Sequence, residues 1–289
     1  MRRAWAGGLV GALALALGQA HSQPATWTVH GPRGEVLLFG SVHLLPGGLD
    51  WRPPALNRAL AVADDLWFEL PLDETMDDEV RRLSLQQGVL PPGDSLWARL
   101  TPLQRDRVER AAAGVGVAPT ALTRLRPWMA ELALSVAADA HAGAVVAEGV
   151  EARLQADAPA TARRHALETV RQQLGFLAGG SPGDQIASLD ETAQEMITDS
   201  DLYARIVRDW MTADLTALQR DALDPLAAAA PASYRRLIID RNARWARVLA
   251  HIARESTGVT VVVVGAGHLV GPAGVPSLLR ARGLRVEGP

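Results

Sequence analysis

Two histidines and one glutamate stand directly after or within apolar runs, where acid–base or metal chemistry can be built. His43 ends a Gly-x-x-His turn after Glu35–Phe39, and His268 ends a second such turn after Val259–Val264. Glu69 lies among large apolar residues, where a carboxylate is costly unless it is paired. Two imidazoles and a carboxylate can hold Mn, Co or Zn and leave positions open for water and substrate. Without a metal, one His could act as general base, with Glu69 orienting it or activating water.

These three residues meet only if the strands before them lie side by side. Trp27–Val29 and Glu35–Phe39 flank a Gly-Pro-Arg-Gly turn and predict a hairpin. Val259–Val264 is nearly all β-branched, which is typical of a strand buried on both faces. In open α/β sheets, ligands gather outside the carboxyl ends of the strands. We therefore predict an α/β (α+β) fold, with a mixed central sheet built from N- and C-terminal strands and a long helical insertion.

A polar break in an apolar helix face gives an independent indication of the same site. The helix predicted over Ser233–Arg254 carries apolar residues at helical spacing, including Ile238 and Trp245. Arg241 and Asn242 occupy positions on that face where a Leu is expected. Buried polar groups need partners, so the pair faces either a polar active site or a structural salt bridge across the core.

The N-terminus predicts export. Arg2 and Arg3 precede the short apolar run Gly7–Leu17, and Gly18–Ala20 supplies small residues for cleavage. Residues 1–20 are therefore predicted to be a signal peptide, and residues 21–289 the functional domain. The run is shorter than the ~20 apolar residues of a membrane span. An uncleaved anchor is the alternative, but we expect a periplasmic or secreted protein with no membrane span after cleavage.

Composition narrows the possible chemistry and partners. The chain has no Cys, which excludes a thiol nucleophile and any Cys-based metal site. Its net charge of −3 argues against nucleic acid as a partner, because phosphate binding usually requires a basic excess. We expect a peptide or small-molecule substrate, and no pairing signature in the chain fixes its oligomeric state.

Five motifs, in this order along the chain, resemble those of the TraB/GumN family. They are Leu37–His43, Trp67–Leu70, Ala166–Thr169 with Gln172, Asp240–Asn242 and Val263–Gly271. That family is related to the Tiki metalloproteases and, more distantly, to the erythromycin esterases. The resemblance covers about residues 25–287. It implies that His43, Glu69 and His268 form the catalytic or metal-binding core, and it adds Arg241, Asn242 and Glu168 as residues that line the site.

The chain departs from the family pattern at three positions. Ser41 stands where the family usually has Thr and keeps the hydroxyl, so we expect Ser41 and Glu168 to contact substrate. Ala166 replaces a usual Gly, and Glu151 stands where an Asp often follows Gly-x. The longer side chain of Glu151 leaves the role of that carboxylate open.

Three functions follow from these residues. The main expectation is an exported, divalent-metal-dependent hydrolase of peptide or amide bonds, in which Arg241 and Asn242 stabilise an oxyanion or orient Glu69. The second is a metal-independent hydrolase with a His base, as in the esterase relatives. The third is a non-catalytic periplasmic factor linked to polysaccharide export.

Overall fold

The central element is a mixed sheet of six strands, seen in a computed structural model that describes residues 23–73 and 75–289. The strands are β1 Thr26–His30, β2 Glu35–Ser41, β3 Ala63–Phe68, β4 Arg163–Ala166, β5 Val259–Gly265 and β6 Arg285–Glu287. Their order is β4-β3-β5-β2-β1-β6, and β2, β5, β3 and β4 are parallel. The antiparallel strand β1 pairs with β2 and β6. The predicted fold class is confirmed, while the predicted signal peptide lies outside the described residues.

β5 occupies the centre of the sheet because its side chains are apolar on both faces. Val261 and Val263 pack into one core cluster together with Leu37 and Phe39 of β2. Val262 and Val264 point to the opposite face and pack against the helix that carries Trp245. A strand with two buried faces needs neighbours on both edges, and the parallel partners β2 and β3 supply them.

Helices form most of the rest of the chain, and β4 interrupts the predicted helical insertion. The α-helices within the described residues are α1 Pro54–Ala61, α2 Met76–Gly88, α3 Pro102–Gly114, α4 Pro119–Leu122, α5 Pro127–His141, α6 Val150–Asp157, α7 Val170–Ala178, α8 Pro182–Thr198, α9 Leu202–Met211, α10 Leu215–Ala222, α11 Asp224–Ala229, α12 Pro231–Tyr234, α13 Asp240–Glu255 and α14 Val275–Arg280. Over that part of the chain, no helix combines the length and apolarity that crossing a bilayer requires.

Side-chain caps fix where several helices begin. A capping box begins α3: the Thr101 hydroxyl accepts from the Gln104 N–H, and the Gln104 side chain accepts from the Thr101 N–H. The same reciprocal pair forms between Thr169 and Gln172 at the start of α7. Gln172, which belongs to one of the family motifs, therefore caps a helix.

The helix predicted over Ser233–Arg254 is present, but its first part is not regular α-helix. The short helix α12 ends at Tyr234, and Arg235–Ile239 forms a π-helical turn before α13 begins. This turn leaves the Leu237 carbonyl oxygen in reach of the Arg241 guanidinium, whose Nη1 donates to it at 3.2 Å. Such turns often occur at functional sites.

The helical insertion is fastened over the carboxyl end of β2. Trp210 of α9 donates from its indole nitrogen to the Gly40 carbonyl oxygen at 2.9 Å. Tyr203 of the same helix donates from its hydroxyl to the Leu44 carbonyl oxygen, also at 2.9 Å. These bonds hold the insertion against the loop that carries His43.

Candidate functional site

Four parallel strands end at one edge of the sheet, and each is followed by a residue expected at the site. His43, Glu69, Glu168 and His268 follow β2, β3, β4 and β5 respectively. β3 ends at Phe68, so Glu69 lies directly after the strand end. A Cβ placed on Gly265 would lie 3.3 Å from Glu69 Oε1, 3.5 Å from His268 Cδ2 and 3.9 Å from His43 Nε2. The structure thus brings His43, Glu69 and His268 around a gap that the glycine leaves open.

Arg241 connects the buried members of this group. Its Nη2 lies 2.6 Å from Glu69 Oε2, its Nε 3.1 Å from Glu168 Oε1, and its Nη1 3.1 Å from His268 Nε2. The guanidinium carbon lies 4.6 Å from the centre of the Trp245 ring, so the cation also packs against an aromatic face. The side chain is 8% exposed, and this buried charge is therefore stabilised mainly by two carboxylates.

Glu69 is held as a carboxylate. Its Oε1 accepts from the Gly265 N–H at 2.7 Å, and its Oε2 accepts from Gln173 Nε2 at 3.1 Å as well as from Arg241. Burial alone would raise the pKa of Glu69, but the charges of protonated His268, Arg241 and His43 outweigh burial and lower it to about 2. At pH 7 His268 is neutral, so the charges of Arg241 and His43, followed by the Gly265 N–H, keep Glu69 ionised.

His268 is a neutral imidazole with a defined tautomer. Asn242 donates through its amide nitrogen to the Ala273 carbonyl oxygen at 2.8 Å, which leaves its amide oxygen to accept. That oxygen lies 2.6 Å from His268 Nδ1, so Nδ1 carries the proton and Nε2 accepts from Arg241. Burial, followed by the charges of Arg241 and His43, lowers the pKa of His268 to about 4 despite the opposing charge of Glu69.

His43 has the opposite ionisation. Its Nδ1 lies 2.7 Å from Glu151 Oε1, and its side chain is 63% exposed. The Glu151 carboxylate raises the pKa of His43 to about 9, against the opposing effect of desolvation. His43 is therefore an imidazolium at neutral pH, with its Nε2–H free on the side of the gap.

Two residues expected to contact substrate are buried. Glu168 has a fully buried carboxylate that pairs with Arg241 and Arg244, so it anchors the guanidinium and does not face the gap. The Ser41 hydroxyl lies beside Glu151 and helps to lower the pKa of that carboxyl. The hydroxyl nevertheless makes no hydrogen bond of acceptable geometry to any group in residues 23–73 and 75–289.

Comparisons with known proteins identify a matching family. The model of the TraB/PrgY/gumN family matches residues 25–288. The chain belongs to this family. It is also 26% identical over 277 residues to a protein of Treponema pallidum (strain Nichols) described as "Uncharacterized protein", covering 92% of this chain and 82% of the relative. No solved structure matches the chain.

The divalent metal expected at this TraB-family site does not fit the side chains as they are arranged. Arg241 Nη1 lies 3.1 Å from His268 Nε2, and Arg241 Nη2 lies 2.6 Å from Glu69 Oε2. The guanidinium therefore occupies acceptor atoms that two of the three expected ligands would offer to a metal. Accordingly, no group of three or more His, Asp or Glu side chains in the described part of the chain could hold a metal ion.

Two side chains of the site, Gln173 and Glu151, have contacts that were not predicted from the sequence. Gln173 contacts Glu69, whereas the neighbouring Gln172 of the family motif serves as a cap. Glu151 contacts His43 from 108 positions along the chain. Its signal was the acidic residue after Gly149-Val150, which the family comparison singled out without giving it a partner.

Gly149→Ala is expected to disturb the loop of His43. A Cβ at Gly149 would lie 1.9 Å from the His43 carbonyl oxygen, so the backbone must shift. We expect the free energy of unfolding to fall by about 1–3 kcal/mol, the usual cost of overpacking. Urea unfolding measures this change. Gly47→Ala, where a Cβ meets nothing within 4 Å, is the control, and equal stability of the two variants would contradict the packing.

The low pKa of His268 predicts that the folded protein loses stability in mild acid. An unfolded histidine binds its proton near pH 6.5, whereas folded His268 does so only near pH 4. The unfolded state is thus favoured progressively as the pH falls from 6.5 to 4, by about 3 kcal/mol in total. Urea unfolding across this range should show a steeper slope for the natural chain than for His268→Gln. The exposed His251→Gln is the control, and a slope unchanged by His268→Gln would refute the buried neutral imidazole.

Proposed function

We propose that this TraB-family chain is an exported hydrolase that works by acid–base catalysis between Glu69 and His43. The observation that supports this most is their opposite ionisation across the gap at Gly265. Glu69 is a carboxylate and His43 an imidazolium over the whole neutral range. Titratable groups whose pKa values are pushed apart are the usual source of an acid and a base in one site.

In this proposal Glu69 orients a water molecule in the gap and accepts its proton as the oxygen attacks a carbonyl carbon. His43 Nε2–H donates a proton to the leaving amine or alcohol as the carbon–heteroatom bond breaks. Solvent then returns the proton from Glu69 to His43. Each group starts in the protonation state that its step requires, and the reaction consumes one water molecule.

The remaining polar residues act as positioning residues. Arg241 keeps Glu69 ionised and fixes its orientation through a charge-assisted hydrogen bond. His268 and Asn242 hold one side of the guanidinium, and Glu168 holds the other. Burial of these groups supports a role behind the reacting atoms. The substrate class, a peptide, amide or ester, is part of the proposal, as is export, which the sequence of residues 1–20 supports.

The test is hydrolysis of a panel of peptide, amide and ester substrates by the purified protein after exhaustive chelation. We expect turnover to survive chelation and to be lost in Glu69→Gln, while Asp78→Asn on the exposed side of α2 retains it. Turnover that chelation abolishes and a divalent metal restores would support the metal-dependent alternative and would require Arg241 to leave its position. Specific ligand binding without turnover, unaffected by Glu69→Gln, would support the non-catalytic factor.

A further inference from the structure

A cavity of about 620 Å³ lies in the helical insertion, between α3, α5, α8 and α9. It adjoins the loop of the candidate site. Its wall residue Tyr203 donates to the carbonyl oxygen of Leu44, which directly follows His43. The loop after α5 also pairs with this segment, since the Val145 N–H donates to the Leu45 carbonyl oxygen at 2.9 Å. Residues 43–45 therefore join the cavity wall to the candidate site.

The cavity has the size and lining of a ligand site. Pockets for small ligands usually measure about 300–1,000 Å³ and combine apolar walls with a few polar groups. The larger apolar residues of the wall are Val115, Met196, Ile197, Leu202 and Ile206. Such walls suit an aliphatic chain. A polar group at the end of that chain would bond to the polar residues of the wall.

Two acids of the cavity wall, Asp139 and Glu195, make no ion pair within the described residues. The wall also carries two basic residues, Arg110 and His141, and Arg110 pairs with the exposed Asp106 at 3.5 Å. Asp199, a third acid there, is paired with Arg205 at 2.6 Å. Asp139 and Glu195 make neither an ion pair nor a side-chain hydrogen bond within residues 23–73 and 75–289. Half-buried carboxylates without a cation are unfavourable, and a bound cation would relieve that cost.

The ionisation of these two carboxyls agrees with a missing cation. Burial raises the pKa of Asp139 to about 6, and the charge of His43 partly offsets this increase. Burial, followed by the charges of Glu191 and Asp199, raises the pKa of Glu195 to about 7. Asp139 lies at the end of the cavity next to the loop of the candidate site, because its carbonyl oxygen accepts from the Ala144 N–H at 3.0 Å and the adjoining Val145 pairs with Leu45.

We propose that this cavity receives a Lys or Arg side chain of a peptide substrate, with its apolar stem against the walls and Glu195 as its counter-ion. Asp139 attracts the cation at the end near His43. This inference rests on the proposed hydrolase function, and it names the substrate class: peptides with a basic residue close to the bond that is cleaved. The surrounding acids favour a cation and disfavour an acidic side chain.

The test compares n-butylguanidinium with its neutral isostere n-butylurea, using calorimetric binding to the purified full-length protein. Neither probe contains a peptide bond, so binding is measured without turnover. We expect the cation to bind at least about tenfold more tightly than the urea at pH 8. Since the guanidinium keeps its charge, its affinity should increase from pH 5 to pH 8 as Asp139 and Glu195 lose their protons.

Substitutions of the two acids test whether the preference for the cation arises in the cavity. Glu195→Gln and Asp139→Asn should each reduce the preference for the cation, and the double variant should abolish it. Glu109→Gln, which changes an acid of α3 that pairs with Arg105 and is not part of the cavity wall, is the control that keeps it. Equal binding of the two probes, or a preference that survives in the double variant, would overturn the proposal. Because Glu69→Gln tests hydrolysis without involving this cavity, failure of either proposal is distinguishable from failure of the other.

Discussion

Replacing Arg241 with Ala is expected to lower the free energy of unfolding by about 3–5 kcal/mol, the usual result of removing one partner of a buried ion pair. The loss arises because Glu69 and Glu168 remain buried at 10% and 0% side-chain exposure, without the cation that both contact. Part of it should be recovered at lower pH, because Glu69, left without its buried cation, then escapes the penalty by binding a proton. Urea unfolding at pH 7 and pH 5 measures both effects.

Arg247→Ala is the matched control for this experiment. Arg247 lies on the same helix, α13, and is exposed, so its loss should change stability by less than about 0.5 kcal/mol. An Arg241→Ala variant whose deficit is the same at pH 7 and pH 5 would indicate lost packing against Trp245 and would contradict the charge argument. Arg241→Lys should be intermediate, because an ammonium cannot reach both carboxylates with a planar fork of donors.

Replacing His43 with Gln is expected to reduce turnover by about 10²–10⁴-fold, the typical contribution of a positioned acid. The natural chain should also lose activity as the pH rises through about 9, where His43 gives up its proton. Glu151→Gln should lower the pKa of His43 from about 9 toward 6.5, because the Glu151 charge is the main cause of the raised value. NMR titration of the imidazole measures this shift without a substrate, and the alkaline limb of the pH–rate profile should move with it.

Glu148→Gln is the control for this pair of variants. Glu148 lies three positions before Glu151 and pairs with Arg153 at 3.0 Å, so its loss should leave the titration of His43 near pH 9. The folded state gains stability from the raised pKa of His43 below about pH 6.5 and loses that gain as the pH rises through 9. A pKa of His43 that is the same in the natural chain and in Glu151→Gln would remove the basis for assigning it as the acid.

The sequence predicts the parts of the site that depend on local pattern. His43, Glu69 and His268 each follow an apolar run, and the parallel sheet brings such positions to one edge. Arg241 and Asn242 are recognisable because polar residues interrupt an apolar face, and both are buried. The spacing of apolar residues and the positions of strand ends therefore identify the side chains that lie at the site.

The contacts between these residues could not be predicted from local sequence patterns. Glu151 and Gln173 belong to the helical insertion, and the direction in which it packs on the sheet depends on distant bonds such as that of Trp210 to Gly40. The π-helical turn before α13 changes the phase of the chain by backbone hydrogen bonding, which side-chain spacing does not record. The prediction that Arg241 stabilises an oxyanion or orients Glu69 also did not anticipate that its guanidinium contacts both Glu69 and His268.

The position of β5 in the middle of the sheet bears on how the protein is made. β2 and β3 cannot complete their pairing until residues 259–265 have been synthesised and inserted between them. Pairing between such distant segments is slow to form, because the chain must first close very long loops. His268 and Gly265 arrive with that last insertion, so a nascent or C-terminally truncated chain has no assembled site. The candidate site is therefore completed only when synthesis is almost finished.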